Sequence, residues 1–137
     1  MKELIKIEDL NKEEIWAILE LAKDIENSPQ NYLRKLEGKS LATLFFQAST
    51  RTKISNSLAM QKLGGNVVDL GKAKFDNEMG NEESFEDNIK VLGDYVDILC
   101  LRHSKEEAPY AAKGITKTSI INCGNGRDQH PTQALLD

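Results

Sequence analysis

Four short apolar runs, at residues 41–46, 67–70, 96–101 and 119–123, alternate along the chain with segments of helical periodicity. This alternation confines the fold more than any other feature, because parallel strands are joined only by crossovers long enough to return across the sheet. Each crossover helix then covers a face. Strands and helices at this spacing therefore predict an α/β fold: a four-stranded parallel sheet with helices on both faces, three layers in αβα order. The runs carry few polar residues, as strands buried on both sides should. With 137 residues, 39% of them hydrophobic, the chain is long enough to bury one core of this kind, and residues 1–137 are expected to form one domain.

The first helix is the most fully signalled. Asn11 and Glu14 have the spacing of a reciprocal capping box; Ile15, Ile18, Leu19, Ala22 and Ile25 recur at helical intervals; Pro29 marks where the helix has ended. Residues 30–38 read as a short helix or turn. A second helix is expected from near Lys53 to Gly64 and Gly65, where glycine permits a left-handed end. Residues 71–82 lack either periodicity and read as a long polar loop; helices follow at about 83–95 and 106–113, and Pro131 marks another helix start. Cys100 and Cys123 lie in apolar runs and read as small buried hydrophobes in a reducing compartment rather than as a disulfide. Residues 1–25 mix charged and apolar positions too closely for a signal peptide, and no segment approaches ~18 consecutive apolar residues. A cytoplasmic protein with no membrane partner is expected.

Sheets of this type bind ligands beyond the carboxyl ends of their strands, which directs attention to three places. After the first strand comes Ser49-Thr50-Arg51-Thr52, opening a helix. Free backbone N–H groups and the positive end of the helix dipole there join three hydroxyls and a guanidinium, the makings of an anion pocket. The plainer alternative is that Ser49 or Thr50 caps the helix and Arg51 is solvated. After the third strand comes Arg102-His103, and after the fourth a stretch containing Arg127, Gln129, His130 and Gln133. Arginines, a histidine and glutamines gathered at one sheet edge exceed what packing needs. Lys and Arg number 18 against 22 Asp and Glu, a net charge of −4, so no nucleic-acid partner is expected and any anion site is local. By spacing alone, Cys100-x-x-His103 and Cys123-x6-His130 offer zinc ligands; the cysteines' place inside strands argues against that, since structural zinc ligands sit on tight loops. His130 precedes Pro131, where a helix dipole favours a neutral imidazole able to donate a hydrogen bond.

Phe45-Phe46-Gln47-Ala48-Ser49-Thr50-Arg51-Thr52, Leu101-Arg102-His103 and Gln129-His130-Pro131-Thr132-Gln133 follow in this order and spacing. Together they closely resemble the carbamoyl-phosphate-binding N-terminal domain of the aspartate and ornithine carbamoyltransferases. The resemblance covers nearly the whole chain. The Phe-Phe pair, Arg followed directly by His, and Asn122-x-Gly-x-Gly before Gln129 lean toward the aspartate branch. The resemblance implies transfer of the carbamoyl group of carbamoyl phosphate to the amino group of aspartate, in pyrimidine biosynthesis, with phosphate leaving and no metal or organic cofactor. It places carbamoyl phosphate against Ser49, Thr50, Arg51, Thr52, Arg102, His130 and Gln133. The phosphate lies in the loop at 49–52 and against Arg102. The carbonyl oxygen, which gains negative charge, is met by Thr52, Arg102 and His130, the catalytic set, while Gln133 lies near the carbamoyl nitrogen. Such catalysis works by positioning and preorganised charge.

Members of the family carry a second domain for the amino-acid acceptor, expected to be absent from these 137 residues. They also form homotrimers in which the loop matching 71–82 brings a Ser and a Lys into a neighbour's site. Here the Lys position falls on Asn81, an amide without the cation's charge, although Lys72 and Lys74 precede it. Gln47 stands where aspartate enzymes carry a Glu that pairs with the other domain, and Asn56-Ser57 where an aromatic and an acid are usual. Of the acidic run Glu78, Glu82, Glu83, Glu86 and Asp87, Glu83 aligns to pair with Arg51. The alternatives are an ornithine carbamoyltransferase, a non-catalytic module binding carbamoyl phosphate or phosphate, and an interaction protein that joins carbamoyltransferase oligomers.

Overall fold

The computed structural model describes residues 3–72 and 84–137. Its sheet comprises β1 (Ser40–Phe45), β2 (Asn66–Lys72), β3 (Ile98–His103) and β4 (Ser119–Asn125), all parallel, in the order β2-β1-β3-β4. Around it run α1 (Lys12–Asn27), α2 (Thr50–Lys62), α3 (Phe85–Tyr95), α4 (Ala108–Ile115) and α5 (Pro131–Leu136). The expected four-stranded parallel α/β architecture is the one observed.

Strand order and handedness together place the helices. The step from β1 to β2 runs one way along the sheet, whereas β2 to β3 passes back over β1, and β3 to β4 continues in that direction. Right-handed crossovers then put α2 on one face and α3 and α4 on the other. The core divides accordingly. Ala42, Leu44, Leu99, Leu101 and Ile120 pack with Ile89 of α3 and Ala112 of α4. Leu41, Phe45, Cys100 and Cys123 pack with Met60 of α2. The period-two alternation of β1 and β3 supplies both clusters from the same strands, each large side chain so buried being worth about 1.5–3 kcal/mol. Thr43, polar and fully buried in β1, places its hydroxyl 3.2 Å from Asp69 Oδ1.

The capping box forms as the sequence predicts: Asn11 Oδ1 accepts from Glu14 N at 2.8 Å, and Glu14 Oε2 from Asn11 N at 2.9 Å. Yet no residue of α1 is buried, and Trp16, Leu19 and Leu21 are exposed. Periodicity specifies the helix without specifying a cover for its apolar face. The chain's start has a role that periodicity does not reveal: Leu4 bridges to Ile121 beside β4, and Ile5, 1% exposed, joins the core.

Element ends differ from the sequence expectation for local reasons. β3 starts at Ile98 because Val96 is the C-cap of α3 and the Asp97 carboxylate accepts from Ser40 N at 2.9 Å. It runs on through Arg102 and His103, since Phe46 N donates to Arg102 O at 2.9 Å and His103 pairs with Asn125 of β4. β2 takes in residues 71 and 72 of the expected loop. Helix α2 opens at Thr50 rather than near Lys53, and α3 opens at Phe85, where Ser84 Oγ accepts from Asp87 N at 3.1 Å. The expected loop beyond residue 72, with Lys74, Glu78, Asn81 and Glu82, lies outside the described residues, as does Glu83, the expected start of the next helix. Residues 30–38 begin in a three-residue 3-10 turn at Pro29–Asn31.

Candidate functional site

The connections from β1 and β3, adjacent in the sheet, leave in opposite directions, and the crevice beyond their carboxyl ends is where such sheets bind ligands. β1 leads into residues 49–52, and β3 carries Arg102 near its end. The pairing of β3 with β4 is irregular between Leu101 and His103, a local shift of the kind that re-aims side chains beside sites.

Arg102 is half-buried. Its Nη1 donates to Cys123 O at 2.7 Å, and its Nε is buried without a hydrogen-bond partner among the described residues. Gly124 makes room for the guanidinium: its φ is +118°, and a Cβ built there collides with Arg102 Nη1 and lies 3.5 Å from His130 Cδ2. Only glycine meets both the left-handed backbone and the close approach without strain.

His130 immediately precedes α5. Its Nε2 lies 3.4 Å from Thr52 Oγ1 and its Nδ1 3.3 Å from Thr132 Oγ1. Burial, and then the Arg102 charge, hold its pKa below the ordinary 6.5, partly offset by a backbone hydrogen bond. The imidazole is therefore neutral at pH 7, with one N–H to donate and one lone pair to accept. Neutrality matches the sequence expectation, with burial and the Arg102 charge among its causes. Asn56 steadies Thr52 by donating from Nδ2 to Thr52 O at 2.9 Å. It also lines the same cleft as Arg51, Thr52, His130, Thr132 and Gln133.

Ser49 stands at the N-cap of α2 in an extended conformation, but its side chain makes no capping hydrogen bond. The plain capping reading is thus not what Ser49 does. Lys53 N donates to Ser49 O at 3.1 Å, so the N–H groups of Thr50, Arg51 and Thr52 have no acceptor within the helix. Ser49 and Thr50 open onto an adjoining hollow shared with Gln47 and Lys53, while exposed Arg51 borders the Thr52 cleft. Arg102 lines a third hollow with Gly124, Arg127, Gln129 and His130. Thr52, Arg102 and His130 thus meet around the imidazole, with Arg51 and Gln133 on one rim and Ser49 and Thr50 one hollow away.

His103 does not join them. Alternation along β3 turns it to the opposite face, where its ring lies 4.5 Å from that of Phe46 and 5.6 Å from that of Phe85, and its Nδ1 accepts from Lys105 N at 2.9 Å. The four residues with zinc-like spacing are consequently divided between two faces, with Cys100 and Cys123 free and buried beneath α2. Gly124, Asn56 and Thr132 received no role from the sequence. For Asn56 a signal existed in its i+4 spacing from Thr52; for Gly124 the requirement is visible only once Arg102 is placed.

An all-parallel sheet whose switch point carries a helix-opening hydroxyl loop and a half-buried arginine is the architecture of a small-anion-binding α/β domain. Residues 2–137 match the family described as aspartate/ornithine carbamoyltransferase, carbamoyl-P binding domain. The aspartate carbamoyltransferase catalytic subunit of Methanocaldococcus jannaschii is 44% identical over 139 residues, covering 100% of this chain and 45% of that protein. The solved catalytic subunit of M. jannaschii aspartate transcarbamoylase superposes with a TM-score of 0.91 at 44% identity, over 100% of this chain and 45% of the other. Trypanosoma cruzi aspartate transcarbamoylase in complex with carbamoyl phosphate gives a TM-score of 0.89 at 34% identity, over 99% and 42% respectively. The chain belongs to the aspartate/ornithine carbamoyltransferase family, in its carbamoyl-phosphate-binding domain. It spans a little under half the length of these relatives.

Proposed function

We propose that this chain holds the carbamoyl phosphate half of a carbamoyltransferase site and that aspartate is the acceptor. The observation that carries the reading is the meeting of Thr52, Arg102 and His130 at the switch point. The M. jannaschii relative, an aspartate carbamoyltransferase catalytic subunit, supports the choice of acceptor. In this reading the phosphate occupies the loop at 49–52, against the helix-opening N–H groups, the hydroxyls and the guanidinium of Arg51, with Arg102 reaching it from β3. The carbonyl oxygen points to Thr52, Arg102 and His130, and Gln133 faces the carbamoyl nitrogen.

The amine of aspartate attacks the carbonyl carbon, and the oxygen gains negative charge as the tetrahedral intermediate forms. Arg102 meets that charge with a cation and neutral His130 with an N–H, both held in place before the reaction begins. Collapse of the intermediate breaks the bond between the carbonyl carbon and the bridging phosphate oxygen, and phosphate leaves carrying the proton that the attacking amine gives up. Carbamoyl phosphate is already an activated mixed anhydride, so no metal or organic cofactor takes part. Losing one oxyanion donor raises such a barrier by roughly 3 kcal/mol, whereas losing a contact to phosphate alone mainly weakens binding. In the same reading residues 1–137 are one domain and a second domain grips the acceptor. The working assembly is a cytoplasmic homotrimer with shared sites, serving pyrimidine biosynthesis.

Calorimetric titration of carbamoyl phosphate, with inorganic phosphate as comparator, tests the half-site. Saturable binding by the 137-residue chain, removed by Arg51→Ala and by Arg102→Ala, is the expected result. A folded chain that takes up no carbamoyl phosphate overturns the reading.

A further inference from the structure

Behind Arg102 and His130 lies a buried amide network that the reaction scheme leaves without a role. Asn122 and Asn125, both 0% exposed, flank Gly124 at the end of β4. Asn122 Oδ1 accepts from Gly124 N at 2.9 Å, while its Nδ2 donates to Ile5 O at 2.9 Å and to Asn125 Oδ1 at 3.1 Å. Asn125 Oδ1 also accepts from Gln129 N at 2.9 Å, and its Nδ2 donates to Glu106 O at 2.6 Å and Asp128 Oδ2 at 3.0 Å. Asn125 thus uses both donor hydrogens and both acceptor positions, and Asn122 both donors and one acceptor, which sets the orientation of each amide. Strand pairing needs neither side chain. Two buried amides in an otherwise apolar strand are tolerable only when satisfied in this way, and once satisfied they specify one geometry.

That geometry bears on the cleft at two points. Asn122 ties down the N–H of Gly124, the residue whose missing side chain is the space taken by the Arg102 guanidinium, next to the Cys123 carbonyl that receives Arg102 Nη1. Asn125 ties down the N–H of Gln129, the residue before His130. We infer that Asn122 and Asn125 are positioning residues: through Gly124 and Gln129 they hold the Arg102 guanidinium and the His130 imidazole at the carbonyl end of carbamoyl phosphate. The inference rests on the proposed function, because it takes the carbonyl oxygen to be what those two side chains meet.

Asn125→Asp is the discriminating substitution. It keeps the shape and the acceptor oxygen but sets a carboxylate oxygen against the Asp128 carboxylate and the Glu106 carbonyl, so that like charges push the turn apart. Exchanging the pair, Asn125→Asp with Asp128→Asn, returns one amide and one carboxylate to that contact. Carbamoyl phosphate and inorganic phosphate are titrated into the wild type, the single variant and the exchange variant, with circular dichroism to verify folding. The single variant is expected to bind carbamoyl phosphate about tenfold more weakly and inorganic phosphate within about threefold of wild type, because Asn125 acts through Gln129 on His130, which meets the carbonyl oxygen alone, and the loop at 49–52 is untouched. The exchange variant is expected to recover the part of the loss that comes from the paired carboxylates, while the carboxylate oxygen against Glu106 O remains. Asn125→Ser, too short to reach Gln129 N and free of added charge, gives the same selective loss by a second route and carries the comparison if Asn125→Asp does not fold. Equal weakening of both ligands, unchanged binding of both, or an exchange variant no better than the single one overturns the positioning role. A folded wild type that binds no carbamoyl phosphate overturns the proposed function itself, and the positioning role with it.

Discussion

Arg102 and His103 are consecutive in sequence and face opposite sides of the sheet, so one step of strand alternation separates a cleft-lining guanidinium from a packing imidazole. Burial, with Lys105 adding to it, holds the His103 pKa below 6.5, and His130 is lowered in the same direction. A folded-state pKa below the unfolded value means that the unfolded chain binds more protons as the pH falls. The stability from keeping these rings neutral is complete above about pH 6.5 and is lost as the pH drops below it. Urea unfolding at about pH 7.5 and 5.5 should therefore give a lower midpoint at the acid value, and His103→Phe, which keeps the ring stack, should shrink that difference. At Thr118, 7% exposed, the hydroxyl contacts Gly93 O at 2.6 Å and Val96 O at 3.0 Å. Thr118→Val leaves those carbonyls without it and is expected to cost about 1–3 kcal/mol in urea unfolding. Ser49, Thr50, Arg51, Thr52, Arg102, His130 and Gln133 were legible as candidates because motif spacing marks them, and the fold brings Thr52, Arg102 and His130 among them together. Gly124 and the two buried asparagines were not, because their roles depend on partners such as Ile5 and Glu106 far away in the chain.

Among the elements, α1 shows how a strong local signal differs from a strong tertiary one. Its capping box is complete, yet it buries no residue, so its stability is mostly its own. Asn11→Ala removes about 1 kcal/mol of capping, which should speed amide exchange in the first turns of α1 roughly fivefold while shifting the global unfolding midpoint little. Hydrogen exchange read by NMR separates the two effects. A midpoint shift matching the full capping loss would show α1 to be part of the cooperative core. The strand ends were the least legible feature. β3 gained Arg102 and His103 from pairing with β1 and β4, a contact that no property of those two residues announces.

At the scale of the whole molecule the sheet keeps two apolar clusters apart, one beneath α3 and α4 and one beneath α2, with no member in common. Ile89→Val in the first should cost about 0.5–1.5 kcal/mol and Leu41→Ala in the second about 2–5 kcal/mol. Their double variant should equal the sum within about 0.5 kcal/mol, since neither side chain shares a cluster with the other. Strong non-additivity in urea unfolding would mean that the strands transmit strain between the faces. By itself the sequence determined the α/β class, the parallel sheet, the first helix with its cap, and the family. Those depend on periodicity, capping and motif spacing, all of them local along the chain. The resemblance had already grouped Thr52, Arg102 and His130; only the tertiary structure decided that His103 turns to the opposite face, against Phe46 and Phe85. It also decided that Gly124 yields its space to a guanidinium under the hold of two buried amides. The physical reason is the same each time: a side chain's direction and its hydrogen-bond partners follow from strand register and from residues far apart in sequence, which only the folded sheet brings together.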